Sequence, residues 1–370
     1  MRVAIVHDAL VNAGGAERVV TFMSEAFPDA PIYTSVYRPE HTYSDFSSRV
    51  VYVLPGARWV STEQTTKRLL PLWLWGFRRL DFRDYDVVLS STTFAAKYVQ
   101  VPRSVPHACY LHGPFRLLWR PEVYEPSSLP FGRIASGAID LVRPLLQKWD
   151  RAATDRLSAI ATNCRNMARA ISRCYHRKAE VIYAPVRLAE YRVGSGSGEY
   201  YLTVSRLISW KRVDLAVKAC RRLRRRLVVV GDGPELANLR AIADDHVTFV
   251  GQVIDKQSLV DLFAGCRALL FCSDEDFGLV PIEAQASGRP VIAFHAGGAL
   301  ETVIEGQSGL FFHEQTTESL VEAILRFERS SFDPDRVRAS VTRFDVEPFK
   351  RHLRNFVWNT ATGGGPAMEE

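Results

Sequence analysis

Glu275 and Glu283 stand with seven residues between them, Asp276-Phe277-Gly278-Leu279-Val280-Pro281-Ile282. Residues 268–272 ahead of them read as a buried strand, and residues 291–294 behind them as another. The stretch between predicts an acidic loop followed by a short helix. Pro281 falls in the helix's first turn, where a missing N–H is harmless, and Gly288 falls at its C-terminal cap. A strand that ends at a helix N-terminus can hold an anion. Two flanking carboxylates suit a ligand that carries hydroxyls as well as phosphates.

Other residues of the same character recur after predicted strands. Arg206 follows residues 201–204 and Lys211 lies five residues later, two cations suited to a diphosphate. Gly14 and Gly15 follow the first strand, residues 3–7. His112 follows residues 108–111 and precedes Gly113-Pro114-Phe115-Arg116, a place open to a structural or a catalytic imidazole. Gly231-Asp232-Gly233-Pro234-Glu235 follows a further apolar run. Neither glycine loop has the G-x-G-x-x-G spacing of a nicotinamide site. The run Arg221-Arg222-Leu223-Arg224-Arg225-Arg226 lacks interleaved aromatics, so it reads as a solvated face and not as a nucleic-acid surface. Asp274-Glu275-Asp276 lacks the partner cluster a metal site needs.

The elements that must position these residues alternate strand and helix along the whole chain. Residues 3–7, 87–89, 108–111 and 159–162 are short apolar runs, the pattern of strands buried on both faces. Ser90-Ser91-Thr92-Thr93 reads as a helix start. The Gly-Ser alternation at 194–199 predicts a linker, after which the pattern restarts at 201–204, 227–231, 247–250, 268–272, 291–294 and 310–312. Helices are expected over 214–222, 318–328 and 347–358. At 370 residues, 47% hydrophobic and 24% charged, the composition fits two ordinary α/β domains. Ligands in such sheets bind at the C-terminal strand ends, where all of the residues above fall.

Charge is unevenly spread. Residues 1–195 hold 26 Lys and Arg against 17 Asp and Glu, whereas residues 196–370 hold 21 against 24. A basic first half can meet an anionic partner. Leu69-Leu70-Pro71-Leu72-Trp73-Leu74-Trp75-Gly76-Phe77 fits an interfacial helix and a core helix equally, and residues 139–148 read as core or scaffold. The six cysteines include no C-x-x-C pair and read as reduced core thiols. The N-terminus reads as a strand from the outset, with no signal peptide, and no apolar run reaches the roughly 18–20 residues of a membrane span.

Taken together, these residues resemble the retaining glycosyltransferases of family 4, which have the GT-B fold. The resemblance rests on the run from Glu275 to Glu283 with Ala284-Gln285-Ala286-Ser287-Gly288-Arg289-Pro290, and on Gly297-Gly298-Ala299-Leu300-Glu301. It rests also on Ser205-Arg206-Leu207-Ile208-Ser209-Trp210-Lys211, Gly231-Asp232-Gly233-Pro234-Glu235 and Gly14-Gly15-Ala16-Glu17-Arg18. Tyr110-Leu111-His112-Gly113-Pro114-Phe115-Arg116 looks closest to mannosyltransferases of O-antigen and exopolysaccharide assembly.

The resemblance implies two doubly wound Rossmann-like domains facing across a cleft. Residues 1–193 would bind the acceptor, 194–199 would link, and 200–345 would bind the nucleotide sugar. A C-terminal helix at 346–360 would pack back on the first domain, ahead of a disordered tail at 361–370. Arg206 and Lys211 would neutralise the donor diphosphate, so that no metal or other cofactor is needed, and Gly14 and Gly15 would admit the phosphates closely. Glu283 would accept from the ribose, Glu275 from the sugar, and the N–H groups of Phe277, Gly278, Leu279 and Val280 would cradle the sugar and phosphate. Val253 and Ile254 would hold the base. His112 would lie at the transferred sugar, with Arg116 beside it toward the acceptor.

The implied reaction moves a hexose, mannose from GDP-mannose being favoured, to a polyprenyl-diphosphate-linked saccharide. The implied place is the cytoplasm, peripheral on an anionic inner membrane face, with no nucleic-acid partner. A nucleotide-sugar epimerase of the same architecture and a catalytically idle GT-B scaffold are the alternatives.

Overall fold

The computed structural model describes residues 1–57, 60, 69–120, 132–194, 198–253 and 255–364. Ile254, the centre of the Gly-Ser stretch and the last six residues of the expected tail lie outside the described residues. The chain forms two compact units, one of residues 1–184 with 347–370, the other of residues 185–346.

The first unit holds a seven-stranded parallel sheet in the order β3-β2-β1-β4-β5-β6-β7. Its strands are β1 Val3–His7, β2 Ile32–Thr34, β3 Val51–Val53, β4 Val87–Thr92, β5 His107–Leu111, β6 Ala159–Thr162 and β7 Glu180–Val181. The second unit holds a six-stranded parallel sheet in the order β10-β9-β8-β11-β12-β13. Its strands are β8 Tyr201–Val204, β9 Leu227–Val230, β10 Val247–Gly251, β11 Ala268–Phe271, β12 Val291–Phe294 and β13 Gly309–Phe312. In each sheet the chain winds outward on one side and then returns to the other side of its first strand. The windings therefore reverse between β1 and β4, and between β8 and β11, and such switch points leave a crevice at the carboxyl ends of the strands.

Central strands such as β1, β4, β5 and β11 are buried along their whole length. This is why they read as unbroken apolar runs. Ser90, Ser91 and Thr92 depart from the sequence expectation: they are no helix start but the last three residues of β4, fully buried. Their hydroxyls are tolerated there because each finds a partner. Ser90 Oγ lies 2.8 Å from His107 Nε2, Ser91 Oγ lies 2.9 Å from His112 Nε2, and Thr92 donates to Asp8 at 2.9 Å.

The first unit ends at Ala184, ahead of the Gly-Ser stretch. The intervening residues bond within the second unit: Val186 N–H donates to the Phe344 carbonyl at 2.8 Å, and Arg338 donates to the carbonyls of Leu188 and Tyr191 at 2.8 Å each. The closing helix runs over Val346–Thr362, past the expected end at 360. Arg354 Nε donates to the Ala26 carbonyl at 3.0 Å, and Lys350 reaches Glu25 at 3.6 Å.

The structure decides between the alternatives that two apolar segments left open. In the helix Leu70–Phe77, Trp73 and Phe77 are fully buried in the first unit's core, whereas Pro71 and Trp75 are exposed, with Arg79 stacked 3.8 Å from the Trp75 ring centre. Residues 139–148, read as core or scaffold, belong to a helix over Gly132–Asp155 on which Leu141, Val142 and Leu145 are exposed, so they are not core. Among the described residues, no helix is long and apolar enough to cross a membrane. None of the six cysteines forms a disulfide, and burial pushes the thiols of Cys109, Cys266 and Cys272 up to about 12.

Candidate active site

The second unit's switch point carries charge. Beyond β8 the chain passes through Ser205 and Arg206 to a short turn, Ser209–Lys211, and beyond β11 it enters the acidic loop with Glu275. Lys211 Nζ forms an ion pair with the Glu275 carboxylate, joining the two loops across the crevice. Ser273 Oγ donates to the same carboxylate at 2.8 Å, and the Lys211 ammonium sits 4.3 Å from the centre of the Trp210 ring. Arg206 is exposed, with no ion pair among the described residues. An ammonium and a free guanidinium on one loop form a ready site for a diphosphate.

Glycines bring the supporting loops close. At Gly231 (φ +131°) a Cβ would lie 1.8 Å from the Ser205 carbonyl oxygen, and at Gly233 (φ +159°) one would lie 2.3 Å from that of Leu207. The Gly-Asp-Gly segment thus presses directly on the loop of Arg206. Gly297 and Gly298 do the same for the acidic loop, and Gly298 N–H donates to the Glu275 carbonyl at 2.7 Å. Phe277 is buried and Gly278 caps the helix Leu279–Ala286, so Leu279 and Val280 form its first turn. Glu283 is buried on that helix, and Gly288 follows it with φ +69°, as a C-terminal cap requires. Val253 follows β10, whose last residue accepts the Gly231 N–H at 2.8 Å.

The first unit's switch point sets two imidazoles beside a buried carboxylate. His7 Nδ1 lies 3.0 Å from the Ser91 carbonyl oxygen and 3.2 Å from Ser91 Oγ. A carbonyl only accepts, so His7 Nδ1 carries a proton. Ser91 Oγ lies 2.9 Å from His112 Nε2, and a Ser91 hydroxyl that donates there leaves the proton of the neutral His112 ring on Nδ1. Burial, helped by His7 and Arg116 against the charge of Asp8, pushes the His112 pKa down to about 3. Burial likewise lowers His7.

Asp8, 2% exposed, anchors this region. Its carboxylate accepts from the N–H groups of Thr93, Phe94, Ala95 and Ala96 at 2.5, 3.0, 2.8 and 2.6 Å, and from the hydroxyls of Thr92 and Thr93 at 2.9 Å each. His7, Asp8 and Ser91 escaped the sequence reading. A His-Asp pair at a strand end was their only signal, since their partners lie more than 80 residues away. Gly14 is the N-cap of the helix Gly15–Ala26, and the Tyr43 hydroxyl donates to its carbonyl at 3.3 Å. Arg116 opens the short helix Arg116–Trp119 and is exposed.

Two family descriptions match the chain in succession, Glycosyltransferase Family 4 over residues 13–190 and Glycosyl transferases group 1 over residues 198–329. The chain belongs to the family 4 glycosyltransferases. This glycosyltransferase is 38% identical over 159 residues to the GDP-mannose-dependent alpha-(1-6)-phosphatidylinositol monomannoside mannosyltransferase of Mycobacterium tuberculosis, covering 38% of this chain and 41% of that one. It is 32% identical over 199 residues to a glycogen synthase of Pseudomonas paraeruginosa, covering 48% and 38%. The match thus spans less than half the length of these relatives. Among solved structures, sucrose-phosphate synthase from Thermosynechococcus elongatus superposes with a TM-score of 0.75 at 18% identity, over 99% of this chain and 100% of that one. Anabaena HepE, crystallised with UDP and glucose, superposes with a TM-score of 0.71 at 18% identity, over 96% and 98%. These likenesses assign the GT-B fold.

Proposed function

We propose that this glycosyltransferase moves a hexose, mannose from GDP-mannose being favoured, onto a lipid-linked saccharide with retention at the anomeric carbon. The observation that carries the reading is the Lys211–Glu275 pair across the second switch point, with Arg206 exposed beside it. In the free protein the ammonium is neutralised by Glu275. A bound diphosphate would draw Lys211 and Arg206 onto its oxygens and leave the Glu275 carboxylate to accept from sugar hydroxyls. Glu283 would accept from the ribose, and Val253 and Ile254 would line the base. The donor preference draws on the relative named as GDP-mannose-dependent.

In the proposed reaction the bond from the anomeric carbon to the leaving phosphate oxygen breaks. The acceptor oxygen bonds on the same face, and its proton passes to the departing phosphate. Charge builds on that phosphate, so the two cations do the main catalytic work and no metal or further cofactor is called for. His112, held neutral, would contribute a hydrogen bond and no charge, with Arg116 toward the acceptor. The first unit, basic in its composition, would take the polyprenyl-diphosphate-linked acceptor at an anionic inner membrane face.

Melting temperatures measured with GDP, UDP and dTDP test the donor, because a ligand that binds only the folded state raises the midpoint. GDP is expected to give the largest shift. A larger shift with UDP or dTDP would reassign the base. Donor turnover with and without a lipid-linked saccharide then separates transfer from epimerisation and from an idle scaffold.

A further inference from the structure

The helix Gly132–Asp155 turns an apolar stripe outward. Leu141 is 84% exposed, Leu145 68%, Val142 43% and Trp149 38%. Lys148 and Ala152 are exposed as well. At 3.6 residues per turn, Leu141, Leu145, Lys148, Trp149 and Ala152 fall within an arc of about 100°, with Asp150 on the opposite side. That opposite side is firmly held. Asp150 is fully buried, accepts from Lys97 Nζ at 2.6 Å and from Trp119 Nε1 and the Tyr175 hydroxyl at 2.7 Å each, and bonds the Tyr98 hydroxyl. Trp149 stacks on Tyr98 at 4.3 Å, so its ring is fixed in place. The exposure is therefore set by the packing of the helix's inner side.

We infer that this stripe docks the enzyme on an anionic bilayer. The charge on and around it favours that occupant. Lys148 stands in the stripe with no ion pair among the described residues, and the neighbouring Asp140 is neutralised by Arg143. The first unit as a whole carries 27 Lys and Arg against 19 Asp and Glu. Leucines and a tryptophan beside a free lysine suit the boundary of headgroups and acyl chains. A two-fold pairing of the stripe with a second copy would face Lys148 with the same stripe, which offers it no carboxylate.

The inner side of the same helix carries the segment that follows His112. Gln147 donates to the Leu118 carbonyl at 2.8 Å, Trp119 donates to Asp150, and Phe115 N–H donates to the Tyr175 hydroxyl at 3.2 Å. Docking would therefore hold that segment at a set height above the bilayer, where a lipid-borne acceptor presents its sugar. This placement rests on the lipid-linked acceptor proposed above.

Co-sedimentation of the full chain with phosphatidylcholine vesicles, with and without phosphatidylglycerol, is the test. Partitioning should be at least about tenfold stronger on the anionic vesicles. The double variant Leu141→Ser, Leu145→Ser should lose about as much, while Trp75→Ser stays within about twofold. Unchanged GDP binding by the double variant would show that it is folded. Equal partitioning on both vesicles, or unchanged partitioning of the double variant, overturns the inference. So does a dimer seen by light scattering that the double variant abolishes without any vesicle binding. If the vesicle results hold but transfer to a soluble saccharide matches transfer to a lipid-linked one, the acceptor reading fails and the docking surface stands.

Discussion

The two switch points share one topology and differ in chemistry. Between β8 and β11 the strand ends deliver a Lys211–Glu275 ion pair and an exposed Arg206, an arrangement of full charges. Between β1 and β4 they deliver His7, Ser91 and His112, a neutral chain of fixed hydrogen bonds braced by a buried Asp8. A parallel sheet offers a crevice at the reversal of its winding and leaves the contents to the loops. Here one crevice is suited to meet a diphosphate and the other to present a single uncharged donor.

Removing charge from the second switch point should have the largest effect. Lys211→Ala and Arg206→Ala are each expected to lower kcat roughly 10²–10³-fold, the usual cost of deleting one group that stabilises transition-state charge. Turnover within a few-fold of the parent would remove these residues from the catalytic role. Glu275→Gln should weaken activity and also free Lys211, which sharpens the contrast: nucleoside diphosphate binding should hold or improve while sugar transfer falls.

A smaller effect is expected at the first switch point. Ser91→Ala removes the donor to His112 Nε2 and lets the ring adopt either tautomer, at a cost of roughly tenfold in kcat, about 1.4 kcal/mol. The imidazole nitrogen resonances of His112 should move toward a mixed tautomer, and Ser91→Thr should restore both. An unchanged spectrum would show that Ser91 does not set the tautomer.

The smallest effect is one of pH. His112, and His107 at the start of the strand that His112 follows, stay neutral in the fold down to about pH 3 because burial disfavours the cation. In the unfolded chain both protonate near 6.5. The folded state therefore loses stability as pH falls from 6.5 toward 3, and above 6.5 these two groups add no pH dependence. Denaturant midpoints across that window should fall less steeply for His107→Gln than for the parent. Equal slopes would contradict the assignment.

The contrast also explains what was legible in the sequence. One wall of the second unit's site is local. Glu275, Gly278, Pro281, Glu283 and Gly288 lie within one loop and one helix, and their spacing carries the caps that fold them. Its strands are short apolar runs, easily read. The first unit's site is assembled across more than 80 residues, and its strand-end serines and threonines look like a helix start until their distant partners are in place. β2, β3 and β7 have three residues or fewer and carry little periodic signal. Residues 139–148 show the same limit, since an apolar-basic pattern does not reveal which side of a helix faces the core. The pairing of Asp150 with Lys97 decides it.

The most direct test of the charged switch point is calorimetric titration of GDP into the parent chain, Lys211→Ala and Arg206→Ala. A diphosphate held by these cations predicts at least about tenfold weaker binding in each variant, with UDP weaker than GDP in the parent. GDP affinity within about twofold of the parent in both variants would contradict it.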